Sequence, residues 1–187
     1  MIRHPYNASG PSRTNGGLKN RRMVMAYAYL AGGCFWCITP VFARHPGVLT
    51  VRSGYSGGQE QHPTYEEVKH QQTGHRETIR VEYDPEKVTF GEIMDLFLQN
   101  TDPFDPDGQF IDRGHSYTLA VYWQNAAEKC TAENKLRALE IDSGKPVCVT
   151  LDPFGTFWSA EEYHQDYYRK NPEAFEEEMR VSGRIKE

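Results

Sequence analysis

The chain has 187 residues, 25% of them charged and 12% aromatic, with a formal net charge of −5. That length suits one domain with a sizeable core. No apolar run approaches the roughly 20 residues of a membrane-spanning helix. No basic n-region precedes an apolar one, so a secretory leader is not expected and a cytoplasmic location is. The first 22 residues carry Arg3, Arg13, Lys19, Arg21 and Arg22 with no acid, leaving about −10 on the remainder. An acidic body argues against nucleic acid as a partner.

Residues 1–22, rich in Asn, Gly, Ser, Pro and Arg, read as a disordered basic arm or an over-called start, since Met23 and Met25 lie just before the first strand. Residues 23–187 then read as a single domain. "MVMAYAYLAGG" has strand character and ends at Gly32-Gly33. "CFWCITPVFARH" spaces Phe35, Ile38 and Phe42 as a helix, closed by Pro46-Gly47. "VLTVRSGYSGG" is a second strand, and "TYEEVKHQQTG" a short helix with Thr64 as N-cap.

"HRETIRVEYDP" alternates, with His75, Glu77, Ile79, Val81 and Tyr83 on one face and Arg76, Thr78, Arg80 and Glu82 on the other. "TFGEIMDLFLQNTDP" is an amphipathic helix with Phe90, Ile93, Leu96 and Phe97 inward. Residues 100–115 make a long loop of the kind that often carries function. "SYTLAVYW" is a strand, "NAAEKCTAENKLRALEIDSG" a helix and "PVCVTL" a last strand. In the tail, Ser159 and Glu162 have capping-box spacing. The order β-α-β, short helix, β-α-β, α-β predicts an α+β fold: a ferredoxin-like split βαβ two-layer sandwich with an added helix and strand and a wrapping C-terminal segment.

Cys34 directly follows a strand and a Gly-Gly turn, which places it at a helix N-terminus, where free N–H groups and the macrodipole favour a thiolate. Against that stand a buried inert cysteine, a metal knuckle and a disulfide exchanger built on Cys34 and Cys37. The metal reading lacks a second ligand pair, because Cys130 falls in a predicted helix, Cys148 in a predicted strand, and nothing brings His115 or His164 to them. The spacing C-x-x-C suits disulfide exchange, but the bulky Phe35-Trp36 between the cysteines suits a substrate pocket better. Glu77 shares its strand face with Ile79 and Val81. Buried there, it would keep its proton near neutral pH and act as a donor; at the strand's rim it would be solvated or paired with Arg113.

Six segments in order, "GGCFWC", "GYSGG", "PTYEEV", "TGHRETIRVEYDP", "FIDRGHSY" and "AEEYHQDYY", spanning Tyr29 to Tyr168, resemble the A-type peptide methionine sulfoxide reductases. The resemblance implies thiol-dependent reduction of methionine-S-sulfoxide, free or in proteins. Cys34 would attack the sulfoxide sulfur and become a sulfenic acid, and Phe35 and Trp36 would receive the S-methyl group. Glu77 would protonate the oxygen, Tyr65 and Tyr117 would hydrogen-bond it, and Asp112 would organise the site. It further implies no metal or organic cofactor, a monomer, and thioredoxin or another thiol as electron source. A general C-x-x-C thiol–disulfide oxidoreductase is the alternative. Two departures stand out. "RVSGRIKE" lacks the C-terminal resolving cysteines of many members, leaving Cys37, another internal cysteine or an outside thiol to regenerate Cys34. Ser116-Tyr117-Thr118-Leu119 replaces the usual Gln-Tyr-Arg-Ser, and Thr39-Pro40 stands where a Glu usually follows the second cysteine.

Overall fold

The computed structural model describes residues 24–185, so the arm predicted at 1–22 lies outside them. Within that range the chain has a mixed α/β fold on a six-stranded sheet ordered β7-β6-β1-β3-β2-β8. β1 (Ala26–Ala31) runs through the turn Gly32-Gly33 into α1 (Phe35–Ala43), and β2 (Val48–Ser56) follows. α2 (Tyr65–Lys69) separates β2 from β3 (Arg76–Tyr83), and α3 (Phe90–Gln99) follows β3. β3 lies antiparallel between β1 and β2.

After the two-residue ladder of β4 (Gly108–Gln109) with β5 (Asp112–Arg113), β6 (Ala120–Trp123) pairs antiparallel with β1. α4 (Ala126–Ser143) leads to β7 (Thr150–Pro153), parallel to β6 on one edge. β8 (Phe157–Ser159) closes the other edge against β2, and α5 (Tyr167–Lys170) and α6 (Pro172–Val181) are the last elements among the described residues.

Alternation along the strands decides where the core sits. Ala28, Leu30, Tyr55, Ile79, Val81 and Tyr83 face the helices and pack with Phe35, Ile38 and Phe42 of α1 and Ile93, Met94 and Phe97 of α3. On the opposite face Tyr29, Ala31, Ala120 and Tyr122 gather with Phe154 and Phe157, Tyr29 stacking on Phe154 at 3.8 Å. The helices start where their side chains can satisfy free N–H groups. Thr64 with Glu67, and Thr89 with Glu92, each make reciprocal side-chain caps.

Several sequence expectations shift. In α3, Met94 is fully buried while Phe90 and Leu96 sit at the core's margin, because the stripe centres on positions 93, 94 and 97. The second face of β3, that of Arg76, Thr78, Arg80 and Glu82, is closed at its start. Arg76 is buried, donating from Nε to Thr118 Oγ1 at 2.8 Å and from Nη1 to the Tyr122 hydroxyl at 3.3 Å. The strand predicted from 116 begins only at Ala120, after a single 3-10 turn His115–Tyr117. The last predicted strand moves from 146–151 to Thr150–Pro153. No capping box forms at Ser159, which ends β8 instead.

β8 can approach β2 only because position 54 has no side chain. A Cβ there would lie 2.3 Å from the Trp158 carbonyl and 2.4 Å from the Phe157 ring. Gly54→Ala is therefore expected to lower unfolding stability by about 1–3 kcal/mol through overpacking, read as a lower urea midpoint. It should also free the segment after residue 156 for cleavage in limited proteolysis.

Candidate active site

Cys34 is the N-cap of α1 but makes no side-chain cap, so the first helical N–H groups need another acceptor. The N–H of Phe35 finds it in Glu77 Oε2, 2.9 Å away across the core. The turn that delivers Cys34 depends on Gly33 at φ +76, where a Cβ would also lie 2.6 Å from Gln109. Gln109 is fully buried and ties the 100–115 loop together, accepting from the Asp102 N–H at 2.7 Å and donating to the Asp102 carbonyl at 2.8 Å.

Glu77 is 2% exposed and sits opposite Tyr55 in the β2–β3 register. Burial pushes its carboxyl up to about 8, opposed by the Phe35 N–H and a hydrogen bond from Tyr117 and reinforced by the charge of Asp112. It holds a proton at neutral pH. Arg113, the alternative partner, instead donates to Asp105 at 2.9 Å. Tyr65, at the first position of α2, and Tyr117, in the 3-10 turn, are both half-buried. Burial, then the Glu77 charge, pushes both phenols above their ordinary value, so both are donors.

Cys34 and Cys37 are 7% and 4% exposed and not joined by a disulfide. The thiolate expected of Cys34 at the helix start is not its resting form. Its hydrogen bond to Cys37 and then its burial hold its thiol pKa well above the ordinary range, with Glu77 and Asp112 acting in the same direction. These outweigh the end of a nine-residue helix. Cys37 moves down, chiefly through that hydrogen bond from Cys34, with Arg184 assisting against burial. Asp112 lies 3.7 Å from Arg184, and burial raises its carboxyl. Cys130 is exposed on α4, and Cys148 is half-buried before β7, its Sγ 3.6 Å from the Phe104 carbonyl. Among the described residues no cluster of three or more His, Cys, Asp or Glu is arranged to hold a metal ion.

The aromatics beside Cys34 form a connected wall. Phe35 is buried, 6.4 Å from Tyr65 and 5.2 Å from His164 between ring centroids. Trp36 is half-buried, stacked on Tyr167 at 3.9 Å, and its Nε1–H donates to His164 Nδ1 at 3.1 Å. Burial lowers His164 to about 4, so it is neutral at physiological pH and carries its proton on Nε2, the nitrogen 3.8 Å from Glu161. Glu161 accepts from the Tyr55 hydroxyl at 2.8 Å and the Tyr65 N–H at 2.9 Å. Gln165 fixes the same segment to β2, accepting from the Ser53 N–H at 3.0 Å and donating to its carbonyl at 2.9 Å.

Cys34, Phe35, Trp36, Tyr65, Glu77, Asp112 and Tyr117 thus lie in one interacting group with Cys37. The sequence assigns no role to Glu161, Gln165 or Tyr167, and raises His164 only as a metal ligand that nothing brings into place. Their only signal was the segment "AEEYHQDYY", which has no spacing that specifies chemistry.

Glu77 also leaves a thermodynamic signature. Its folded-state value near 8 lies above the carboxyl's ordinary 4.5, so between these pH values the native state keeps a proton that the unfolded chain has released. Stability attributable to Glu77 therefore falls as pH rises through that window. In urea titrations at successive pH values, Glu77→Gln should gain stability relative to the parent as pH rises, levelling off above the folded-state value; a pH-independent difference would contradict a buried, proton-bearing Glu77.

A sequence profile of the family described as Peptide methionine sulfoxide reductase matches residues 26–187. The chain is 45% identical over 165 residues to peptide methionine sulfoxide reductase MsrA 2 of Staphylococcus aureus strain MRSA252, covering 87% of this chain and 93% of that protein. Among solved structures, reduced Mxr1 from Saccharomyces cerevisiae matches with a TM-score of 0.74 and 28% identity, covering 80% of this chain and 87% of that one. Mxr1 in complex with Trx2 shares the fold with a TM-score of 0.51 and 20% identity, over 75% and 84% of the two chains. With a profile match running from β1 to the end of the chain, and the cysteine, carboxyl and aromatic wall gathered in one place, this chain belongs to the peptide methionine sulfoxide reductase family, in its A type.

Proposed function

We propose that residues 23–187 act as one catalytic domain that reduces methionine-S-sulfoxide, free or in proteins, to methionine at the expense of thiols. The observation that supports this most directly is the proton-bearing Glu77 carboxyl held by the N–H of Phe35, the residue after Cys34. A sulfoxide oxygen is a strong acceptor, and Glu77, Tyr65 and Tyr117 supply three donors to polarise the S=O bond and make sulfur electrophilic. Phe35 and Trp36 offer the apolar surface for the S-methyl group, in an orientation fixed by His164 and Tyr167. The strand order β6-β1-β3-β2, antiparallel throughout, with helices linking β1 to β2 and β3 to β6, supports the split βαβ description of the scaffold.

Cys34 Sγ, giving up its proton to solvent, bonds to the sulfoxide sulfur as Glu77 protonates the oxygen. Transfer of the hydroxyl to Cys34 releases methionine and leaves a sulfenic acid. The Cys37 thiol, three residues along, then attacks the Cys34 sulfur, expelling water and forming a disulfide. Asp112, beside this group, supports its electrostatics. A thioredoxin-type protein as the dithiol that restores both cysteines is supported by the yeast neighbour Mxr1, known in complex with Trx2.

The test is single-turnover reduction by pre-reduced protein without added thiol. The parent is expected to release about one methionine from the S epimer alone, with two thiols lost. Glu77→Gln should lower that rate by about 100- to 10,000-fold. The parent rate should fall as pH rises through about 8. Cys37→Ser should still release one methionine and leave a trappable sulfenic acid on Cys34. Methionine release unaffected by Glu77→Gln would remove Glu77 as the acid, and release from the R epimer would remove the stereochemical assignment.

A further inference from the structure

Gln71 carries a side chain where a helix end most often has none. α2 closes as a Schellman turn: the Gln71 N–H donates to the Val68 carbonyl at 3.0 Å and the Gln72 N–H to the Glu67 carbonyl at 2.9 Å. The residue after the C-cap of such a turn is left-handed and usually glycine, and Gln71 sits there at φ +60. Its amide is what holds it. Nε2 donates to the Ser116 hydroxyl at 2.7 Å, and Oε1 accepts from the Ser116 N–H at 3.0 Å. Ser116 is 1% exposed, so both of its groups are shut off from water and take their partners from this amide. A Cβ at Gly114 would lie 2.7 Å from the Gln71 amide carbon and nitrogen, so that position stays bare, at φ +110, to admit the amide. Ser116 belongs to the stretch in which this chain departs from the Gln-Tyr-Arg-Ser usual in the family. Non-glycine residues kept in a strained conformation gather where function requires the geometry, and this one lies against the turn that bears Tyr117.

We infer that Gln71 is a positioning residue for sulfoxide reduction: its amide clamps the 3-10 turn that carries Tyr117 onto the end of the helix that begins with Tyr65, and thereby fixes the two phenols relative to each other. This role rests on the preceding reading of both phenols as donors to the sulfoxide oxygen. Two donors polarise one oxygen only if they converge on it, and these two come from separate segments of the chain. α2 has five residues, so a tie at its C-terminal end lies within two turns of Tyr65. Other ties on the Tyr117 turn run to β3 and to the residues just before it. Arg76 Nε donates to Thr118 Oγ1 at 2.8 Å, and His115 Nε2 lies 3.1 Å from the Gly74 carbonyl. These keep the turn folded when the amide is removed, whereas the amide relates the turn to α2. Tyr117 also donates to Glu77, so a displaced turn withdraws a partner from the acid as well.

The decisive variant is Gln71→Gly in the full chain, which removes the amide and relieves the left-handed backbone at once. A merely structural residue would lose stability together with activity. Here the urea midpoint is expected to stay level or rise, while single-turnover methionine release at saturating sulfoxide slows about 10- to 100-fold. The sulfoxide concentration giving half the maximal rate should stay within about threefold, because the apolar surface of Phe35 and Trp36 is untouched. In a Tyr117→Phe background the same substitution should cost less than about twofold, since the turn then has no hydroxyl left to place. Hydrogen exchange of the Ser116 amide, which needs no sulfoxide, should become about tenfold faster or more in Gln71→Gly. A Gln71→Gly rate within about twofold of the parent, a lower urea midpoint accompanying the slower rate, an equal slowing in the Tyr117→Phe background, or unchanged Ser116 exchange each overturns the role of Gln71 and leaves the sulfoxide chemistry standing. Tyr117→Phe at the parent rate, or no methionine from the parent, would instead overturn the reading of the site, and the role of Gln71 with it.

Discussion

The contact between the Phe35 N–H and Glu77 Oε2 is the constraint around which the rest of the site is organised. A helix start needs acceptors for its free N–H groups, and Cys34, as N-cap, offers none. A carboxyl inside an apolar core needs a donor or a proton. Each problem is the other's solution: β3 caps α1, and the carboxyl stays buried with its proton largely retained. The same contact fixes Cys34 relative to Glu77, because the two side chains flank one peptide group. Gly33 and Gln109 hold the turn that makes this possible, and the two phenols complete the ring of donors.

The cysteine pair follows from that arrangement. The hydrogen bond from Cys34 to Cys37 and the burial of Cys34, with the charges of Glu77 and Asp112 acting the same way, raise its pKa and keep the neutral thiol at rest. The thiolate is the form that oxidants attack, so Cys34 is guarded until a polarised substrate sulfur draws it out. Cys37, one turn further along α1 and next to Arg184 electrostatically, is the more acidic of the two. Division of labour between the sulfurs comes from their neighbours, not from any difference in the side chains themselves.

The elements that depend on local rules were legible in the sequence. The alternation of Ile79, Val81 and Tyr83 placed Glu77 on the buried face of β3, and the Gly-Gly turn placed Cys34 at the head of α1. Periodicity misplaced the ends of β6 and β7, since Ser116 and Tyr117 are drawn into a 3-10 turn and Cys148 is held by the carbonyls of Pro103 and Phe104. It was silent on β8, a three-residue edge strand whose existence depends on the bare backbone of Gly54. The raised pKa of Cys34 was misjudged because a helix end is a local feature, whereas the hydrogen bond to Cys37 and the carboxyls of Glu77 and Asp112 depend on tertiary packing. Glu161, His164 and Gln165 act on partners about a hundred residues away, a relation that no spacing within their own segment records.

Glu161, His164, Gln165 and Tyr167 come after every residue assigned to the chemistry, yet they hold Tyr55, Tyr65, Trp36 and the backbone of Ser53 in place. The order of synthesis then acquires a meaning. A growing chain emerging from the ribosome, N-terminal part first, exposes Cys34, Glu77 and both phenols well before the segment that closes the aromatic wall around them. A nascent chain stalled before residue 160 would hold all the reactive groups and lack the pocket that directs them. Competence is reached only once residues 161–167 have been made, so this stretch serves as a check on the segments that precede it.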